Sequence, residues 1–267
     1  MYAFELQQPK DLQQAITMLA IPDSRPLAGG QSLVAALKLR LSAPAVLVDL
    51  GALEELRGIH CDGAVLQAGA ASRHAQVAES ALVAQAIPAL AELAGGIGDA
   101  QVRNMGTLGG SLANNDPAAC YPCAVLGLGA SIQTDRRSIG ADDFFTGMYE
   151  TALEADELIT AVRFPIPRQA AYVKFHNPAS RFALVGVFVA RFDDGVRVAV
   201  TGCADHVFRS SALEAALAAD FSPQAARAVT ISAADLSTDL HASAAYRAHL
   251  IPVLAGRAVA KALEKAG

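Results

Sequence analysis

Two short segments of the chain set glycine pairs beside hydroxyl side chains. One is LAGGQSL, Leu27 to Leu33, and the other is MGTLGGS, Met105 to Ser111. A glycine pair lets the backbone take positive φ and brings its amides close to a ligand oxygen, because no Cβ intervenes. Successive N–H groups in such a turn form an anion-binding concavity, and a helix opening at Gln31 adds its favourable dipole end. Ser32, Thr107 and Ser111 offer hydroxyl donors to the same oxygens. One such turn alone is more readily a tight structural turn. Two of them, each with a hydroxyl close to its glycines, point to a diphosphate held by backbone amides, with no lysine required. Common nucleotide motifs do not fit. There is no G-x-x-x-x-G-K-[ST], and GLGASI carries Ile132 where a dinucleotide fingerprint needs its third glycine.

Other reactive residue types give weaker signals. Cys61, Cys120, Cys123 and Cys203 are too few for a disulfide framework in a chain of this length. Cys120 and Cys123 form a lone C-x-x-C, read either as two half-buried thiols at a helix start or as a redox dithiol. A zinc or iron–sulfur site needs about four ligands, so iron–sulfur chemistry would sit on another chain. His60, His74, His176, His206, His241 and His249 show no metal-ligand spacing, and His206 reads as structural. Asp142 and Asp143 read as solvated carboxylates on an exposed turn, Arg136 and Arg137 as surface charge. Arg103 and Asn104 are placed to brace the second glycine segment. No residue stands out as general acid, general base or nucleophile.

These residues need a scaffold. The chain has 267 residues, 53% of them hydrophobic and 18% charged, which provides an ample core. A net charge of −5 argues against a nucleic-acid or anionic-membrane binder. The N-terminal residues lack a basic start followed by an apolar stretch, so no signal peptide is expected. The longest apolar run, Phe182 to Ala190, is about half of what a membrane helix needs, so no membrane span is expected and a cytoplasmic protein is. Leu12, Ala15, Ile16 and Leu19 space an amphipathic helix behind Asp11 as N-cap. RPLAGG reads as a strand ending in its glycine pair, QSLVAALKLRL as a helix and AVLVDL as a strand. A hairpin turns at Asp62-Gly63. Helices are expected in SRHAQVAES, in IPALAELAGG and from Pro122, followed by a strand at ASIQT. DELITAVRFPIPRQAA ends a strand at Pro165 and Pro167, placing a domain boundary there, between 1–168 and 169–267. Beyond it, YVKF, FALVGVFVARF and VRVAVTGC predict three antiparallel strands. From Ser210 the alanine-rich chain predicts helices broken at Pro223 and Pro252, giving an α+β unit.

The spaced combination AGGQSL…LKLR, IGDAQVRNMGTLGGSLANNDPAACYP and ELITAVRFPIP resembles the FAD-binding medium subunit of molybdenum hydroxylases. That family comprises the carbon monoxide dehydrogenase and xanthine dehydrogenase flavoproteins. The likeness runs from about Phe4 to the C-terminus and is strongest up to about Ser180. It implies an α+β fold, with a two-part FAD-binding domain of the vanillyl-alcohol oxidase type followed by a C-terminal antiparallel sheet with a helical bundle. Carried onto this sequence, the first phosphate loop is Ala28, Gly29, Gly30, Gln31 and Ser32, flanked by Leu27 and Leu33. The second is Thr107, Leu108, Gly109, Gly110 and Ser111. Ile97 is an apolar position against the cofactor, Ile159 meets the polar edge of the flavin through its backbone, and Lys174 contacts the cofactor.

Two positions depart from the family pattern. Cys120 stands where a carboxylate often follows DPAA, leaving Asp116 to supply that charge or the contact absent. Phe182 stands where a tyrosine usually covers one flavin face, and Arg181 replaces an acid beside it. The resemblance further implies electron transfer from a small [2Fe–2S] subunit, fed by a large molybdopterin subunit, to an external acceptor, in a dimer of heterotrimers. The alternatives are a stand-alone FAD-dependent oxidoreductase on the same fold and a scaffold subunit that has lost FAD.

Overall fold

The computed structural model describes residues 1–264. The first lobe comprises β1 (Glu5–Gln7), α1 (Leu12–Leu19), β2 (Ser24–Leu27), α2 (Leu33–Lys38) and β3 (Val46–Asp49). Asp11 caps α1 as expected, its Oδ1 accepting from the Gln14 amide at 2.7 Å, and Ala15 and Leu19 face the core. The three strands form a parallel sheet in the order β1-β3-β2. Parallel pairing demands crossover connections, which α1 and α2 supply. The central strand β3 is buried along Val46, Leu47 and Val48.

The second lobe opens with β4 (Ile59–Asp62) and β5 (Val65–Gly69), a hairpin whose Gly63 takes φ +57°. Six helices follow: α3 (His74–Glu79), α4 (Ala81–Ala86), α5 (Pro88–Gly95), α6 (Ala100–Met105), α7 (Leu108–Asn114) and α8 (Tyr121–Gly127). Then come β6 (Ser131–Thr134), β7 (Ser138–Gly140), α9 (Ala141–Phe144), the ribbon β8 (Phe145–Gly147) and β9 (Glu150–Thr151), and β10 (Ile159–Pro165). The main sheet is antiparallel, ordered β4-β5-β10-β6-β7. β10 ends at Pro165, which pairs with Val65 at the end of its ladder with β5.

The C-terminal unit pairs β11 (Gln169–His176), β12 (Ala183–Arg191), β13 (Val196–Thr201) and β14 (Phe208–Arg209) in sequence order. It adds α10 (Ser211–Ala219), α11 (Pro223–Ala228) and α12 (Ala244–Glu264). β12 reads as an unbroken apolar run because both of its faces are covered. Phe188 and Ala190 join the core of the second lobe, while Val185, Val187 and Val189 face α12. Sheet membership thus changes between Pro165 and Gln169, yet one apolar cluster spans the change, joining Leu66 and Phe164 to Tyr172 and Phe188.

Two expectations for the C-terminal unit are corrected. The break expected at Pro223 is present, between α10 and the Pro223 start of α11, but Pro252 lies inside α12 without ending it, since Ile251, Leu254 and Ala255 lock that stretch into the core. A proline there forfeits one helical hydrogen bond, and tertiary packing outweighs the loss. Residues 229–243 are irregular rather than helical. Arg247, which is 3% exposed, organises them: Nη2 donates to Asp239 Oδ2 at 2.7 Å, and Nη1 donates to the carbonyls of Leu184, at 2.7 Å, and of Gly202. Asp239 is half exposed, so removing Arg247 costs mainly the donors to the Leu184 and Gly202 carbonyls, about 1–3 kcal/mol. Arg247→Ala is therefore expected to lower the urea midpoint by that much stability, with the loss greatest for probes in the C-terminal unit.

Candidate functional site

The first glycine segment is a loop between β2 and α2. Gly30 takes φ +75°, a left-handed turn that aims the chain into α2. A Cβ on Gly29 would overlap the Met105 carbonyl, so the loop lies against the backbone of the second segment. Among the described residues, none of the five amides from Gly29 to Leu33 donates to an acceptor in the chain. Ser32 is the N-cap of α2, and its hydroxyl makes no capping bond. Buried or half-buried amides without a partner call for one. Here six donors are grouped in five residues.

The second glycine segment corrects the expectation of a turn. Thr107 is the N-cap of α7, with Oγ1 accepting from the Gly110 amide at 3.1 Å, so Leu108 to Ser111 are the opening turn of a helix. Its amides are already used: Leu108 donates to Ser72 O at 2.9 Å, Gly109 to Ala70 O at 2.8 Å and Ser111 to Thr107 O at 3.0 Å. None of its glycines has positive φ. Gly109 is glycine because a Cβ would sit 2.6 Å from that of Ala70. This segment offers a close-approach surface, not an amide cradle.

Both segments line one cavity of about 550 Å³, within the range of about 300–1,000 Å³ typical of ligand sites. Ala28, Gly29, Gly30, Gln31, Ser32 and Leu33 form one wall, and Thr107, Gly109, Gly110 and Ser111 another. Ile97, Asp116, Ile159, Lys174 and Phe182 complete it from the α5–α6 turn, the residues just after α7, the start of β10, strand β11 and the β11–β12 connection. Leu27 and Leu108 are not on its surface. Leu27 is held in β2 opposite Asp49, and Leu108 is 1% exposed in the core of the second lobe.

The polar wall residues are held from behind. Asp116 Oδ1 accepts from the Ala118 amide at 2.9 Å, and Oδ2 faces the Tyr149 hydroxyl at 3.4 Å. Asn115 fixes that corner: it is fully buried at φ +40°, and its Nδ2 donates to the carbonyls of Gly147 and Glu150 at 2.8 and 2.7 Å. Lys174 is spent on the chain itself. Its Nζ donates to Gly96 O at 2.8 Å and Arg181 O at 3.0 Å, and lies 3.5 Å from Cys120 Sγ. Arg103 braces the Ile97–Gly98 carbonyls, at 3.1 and 3.2 Å, rather than the second glycine segment.

Several expectations about neighbouring residues change. Arg137 is not simple surface charge: its Nη2 lies 2.7 Å from an oxygen of Glu157, a carboxylate with no exposed side-chain surface at the cavity wall. That bond pulls the Glu157 carboxyl down to about 2. Arg136 pairs with Asp135 on its own turn and with Glu154 and Asp156 in the connection from β9 to β10. Asp142 is not free in solvent but bonded by Arg197 at 2.9 Å and Arg209 at 3.3 Å, which straps α9 to the C-terminal sheet. Cys120 and Cys123 are buried rather than half-buried, and the Cys123 thiol faces the Ala199 carbonyl at 3.3 Å, away from the cavity. His74, which ordinary helical spacing did not distinguish, lies on the cavity wall, 5% exposed, with its ring 5.1 Å from that of Tyr121. Burial, and then the charge of Arg103, lower its pKa to about 4.

Comparison with known proteins bears on what fills such a cavity. Residues 2–167 match the family described as the FAD binding domain in molybdopterin dehydrogenase. The chain is similar to the nicotine 6-hydroxylase medium subunit of Paenarthrobacter nicotinovorans, 35% identical over 276 residues that cover 97% of each chain. It is 33% identical to the carbon monoxide dehydrogenase medium chain of Hydrogenophaga pseudoflava, over 98% of this chain and 96% of that one. Among solved structures it superposes on a chain of quinoline 2-oxidoreductase from Pseudomonas putida 86 with a TM-score of 0.90, at 31% identity, covering 99% of this chain and 98% of the other.

The two shifted groups at the wall make stability depend on pH in separate windows. His74 has its pKa lowered on folding, so its contribution is complete above the ordinary value of 6.5 and is lost as pH falls to about 4. Glu157 contributes fully above 4.5, and that contribution is lost as pH falls toward about 2. His74→Phe should flatten the melting-temperature profile in the upper window only, and Glu157→Gln in the lower window only. Thermal melts from neutral to acid pH check both.

Proposed function

Because this chain belongs to the FAD-binding family of the molybdopterin dehydrogenases, an oxidoreductase component with FAD as its cofactor, we propose that it is the electron-transfer subunit of such an enzyme. The observation that carries the site assignment is the row of partner-free amides from Gly29 to Leu33 on the cavity wall. A diphosphate needs several donors converging without bulk between them, and this loop offers five amides and the Ser32 hydroxyl. Thr107, Gly109, Gly110 and Ser111 form the opposing surface, kept low at Gly109 and Gly110 by the absence of side chains. Ile97, Ile159 and Phe182 supply the apolar walls against a planar ring system, and Asp116 supplies a fixed carboxylate. The bound flavin supplies the redox chemistry, because it exchanges electrons singly or in pairs. The chain's own part is to bind, orient and shield it. No side chain on the wall is assigned a proton-transfer step.

In this reading the chain receives electrons from a small [2Fe–2S] subunit, which is fed by a large molybdopterin subunit, and passes them to an external acceptor. The assembly is a dimer of heterotrimers in the cytoplasm. The support is the "medium chain" and "medium subunit" of the relatives' names, with matches extending over nearly all of this chain. No helix among the described residues is long and apolar enough to cross a membrane. The direct test is reduction of the purified yellow protein by a hydroxylase substrate, expected only when both partner chains are added. Reduction without them would favour a self-sufficient flavin enzyme.

The site assignment has its own test. Gly30→Val puts a branched side chain at φ +75°, where an added Cβ already lies 3.0 Å from Val34 Cγ2, and so dislodges the amide row. FAD affinity is expected to fall at least about tenfold, equivalent to 1.4 kcal/mol. Gly63→Ala carries a comparable backbone penalty at φ +57° in the β4–β5 hairpin and should leave affinity intact. Flavin fluorescence titration measures both.

A further inference from the structure

The β11–β12 connection, residues 177–182, is held more firmly than an exposed turn requires. Asn177 is buried, its amide donates to Phe182 O at 2.8 Å, and its carbonyl accepts from the Arg181 amide at 2.8 Å. Its Oδ1 accepts from the amides of Ala179 and Ser180 at 2.9 and 3.2 Å. Arg181 sits at φ +62°. A left-handed conformation is costly for a residue with a Cβ, and glycine or asparagine would meet it more cheaply. Lys174 then fixes the Arg181 carbonyl and ties it to Gly96.

The backbone of Arg181 is thus pinned while its side chain is not. The guanidinium reaches only Gly98 O, at 3.5 Å, and no carboxylate pairs with it among the described residues. It lines the cavity beside Phe182, which is 48% exposed. The other charges on this wall are accounted for differently. Lys174 is consumed by carbonyls, Glu157 is paired with Arg137, and Asp116 is held by the Ala118 amide and Tyr149. Arg25 is a second cation without an ion pair, and it lies on β2. The β11–β12 turn therefore presents a free guanidinium next to an exposed aromatic ring. A strained residue held by its surroundings and left unpaired points to a role in recognition.

We propose that Arg181 is the specificity-determining cation for the electron acceptor, equipping the cavity mouth to receive a small anionic acceptor. This rests on the reading of the chain as an FAD-dependent electron-transfer subunit and adds the charge class of the species that leaves with the electrons. A guanidinium at the rim raises the local concentration of anions and orients them through paired N–H donors. Its contribution falls with salt, because the site is open to solvent.

The test uses the full chain, loaded with FAD and reduced anaerobically with one equivalent of dithionite, whose two electrons are taken up by the flavin with protons from the buffer. Reoxidation is followed with ferricyanide, an anion, and with duroquinone, which is neutral. Each reduced flavin gives two electrons and two protons: two ferricyanide ions take one electron each while the protons go to buffer, and one duroquinone takes both electrons and both protons. Arg181→Glu should lower the ratio of ferricyanide to duroquinone rate constants at least about tenfold at low ionic strength, with the gap closing as salt is added. Arg181→Lys should keep most of the ratio. Arg257→Glu, the same charge change at an exposed position on α12, should leave it unchanged. FAD affinity, titrated separately, should not move in any variant. An unchanged ratio in Arg181→Glu, or an equal drop in Arg257→Glu, overturns the proposal. So does weakened FAD binding in Arg181→Glu, since the cation would then serve the cofactor. A wild-type chain that takes up no FAD instead overturns the flavoprotein reading itself, and this proposal with it.

Discussion

The site depends on backbone hydrogen-bond accounting. An amide that folding leaves unpaired must find water or a ligand, and five consecutive ones on a concave wall make a ligand far the better partner. The row from Gly29 to Leu33 is unpaired because β2 has ended, α2 has only begun, and Gly30 turns the chain between them. The surrounding structure keeps it so. The parallel pairing of β2 with β3 fixes where the strand stops, and the Met105–Gly106 backbone closes behind Gly29 and leaves no room for a side chain. The Leu108–Ser111 amides show the contrary case. Ala70, Ser72 and Thr107 satisfy them, so glycines of similar appearance leave no row of unpaired amides there.

That contrast also shows what the sequence could and could not tell. One element in each unit was legible because its signal is local: the N-cap of α1 at Asp11 in the first lobe, the glycine at the Asp62-Gly63 turn in the second, and the continuous apolar run of β12 in the C-terminal unit. The α+β pattern of the C-terminal unit and the cavity wall from Ala28 to Leu33 were legible for the same reason, whereas the two-part fold ahead of that unit came only from the family resemblance. The second segment misled because a glycine pair suggests a turn, although Thr107 three residues before Gly110 was a capping signal of the usual kind. Pro252 misled in another way. A local rule against proline inside a helix was overridden by the apolar contacts of α12, which only the tertiary structure reveals. Glu157 and Arg137 lie twenty residues apart, and nothing in either neighbourhood announces that one is buried and the other neutralises it.

The cavity is assembled from three units, which explains why so many of its residues are occupied elsewhere. The first lobe contributes the amide row, the second the close-approach helix and the Glu157 corner, and the C-terminal sheet contributes Lys174, Arg181 and Phe182. Lys174 Nζ reaches across from β11 to Gly96 at the end of α5 and passes within reach of Cys120 at the head of α8. It holds a wall to a wall. The apolar cluster shared by Phe164, Tyr172 and Phe188 does the same below it. A C-terminal unit joined only by a linker could not present residues to the cavity at fixed distances. The shared core is therefore part of the site.

The distribution of cations completes the physical picture. A diphosphate carries two negative charges, and the usual solution is a lysine or arginine beside it. In the proposed site the oxygens meet uncharged donors, while Arg137 is committed to Glu157 and Lys174 to backbone carbonyls. Dipoles fixed by the fold need no rearrangement when the ligand arrives, whereas a flexible lysine loses side-chain entropy on binding. Holding the cofactor with backbone leaves mobile positive charge free for transient contacts, where loose electrostatic attraction is an advantage because the visitor must leave again. Arg181 is such a charge, its backbone pinned on one side and its guanidinium open on the other. Stable binding through amides and brief encounters through a side-chain cation can then share one cavity without competing for the same groups.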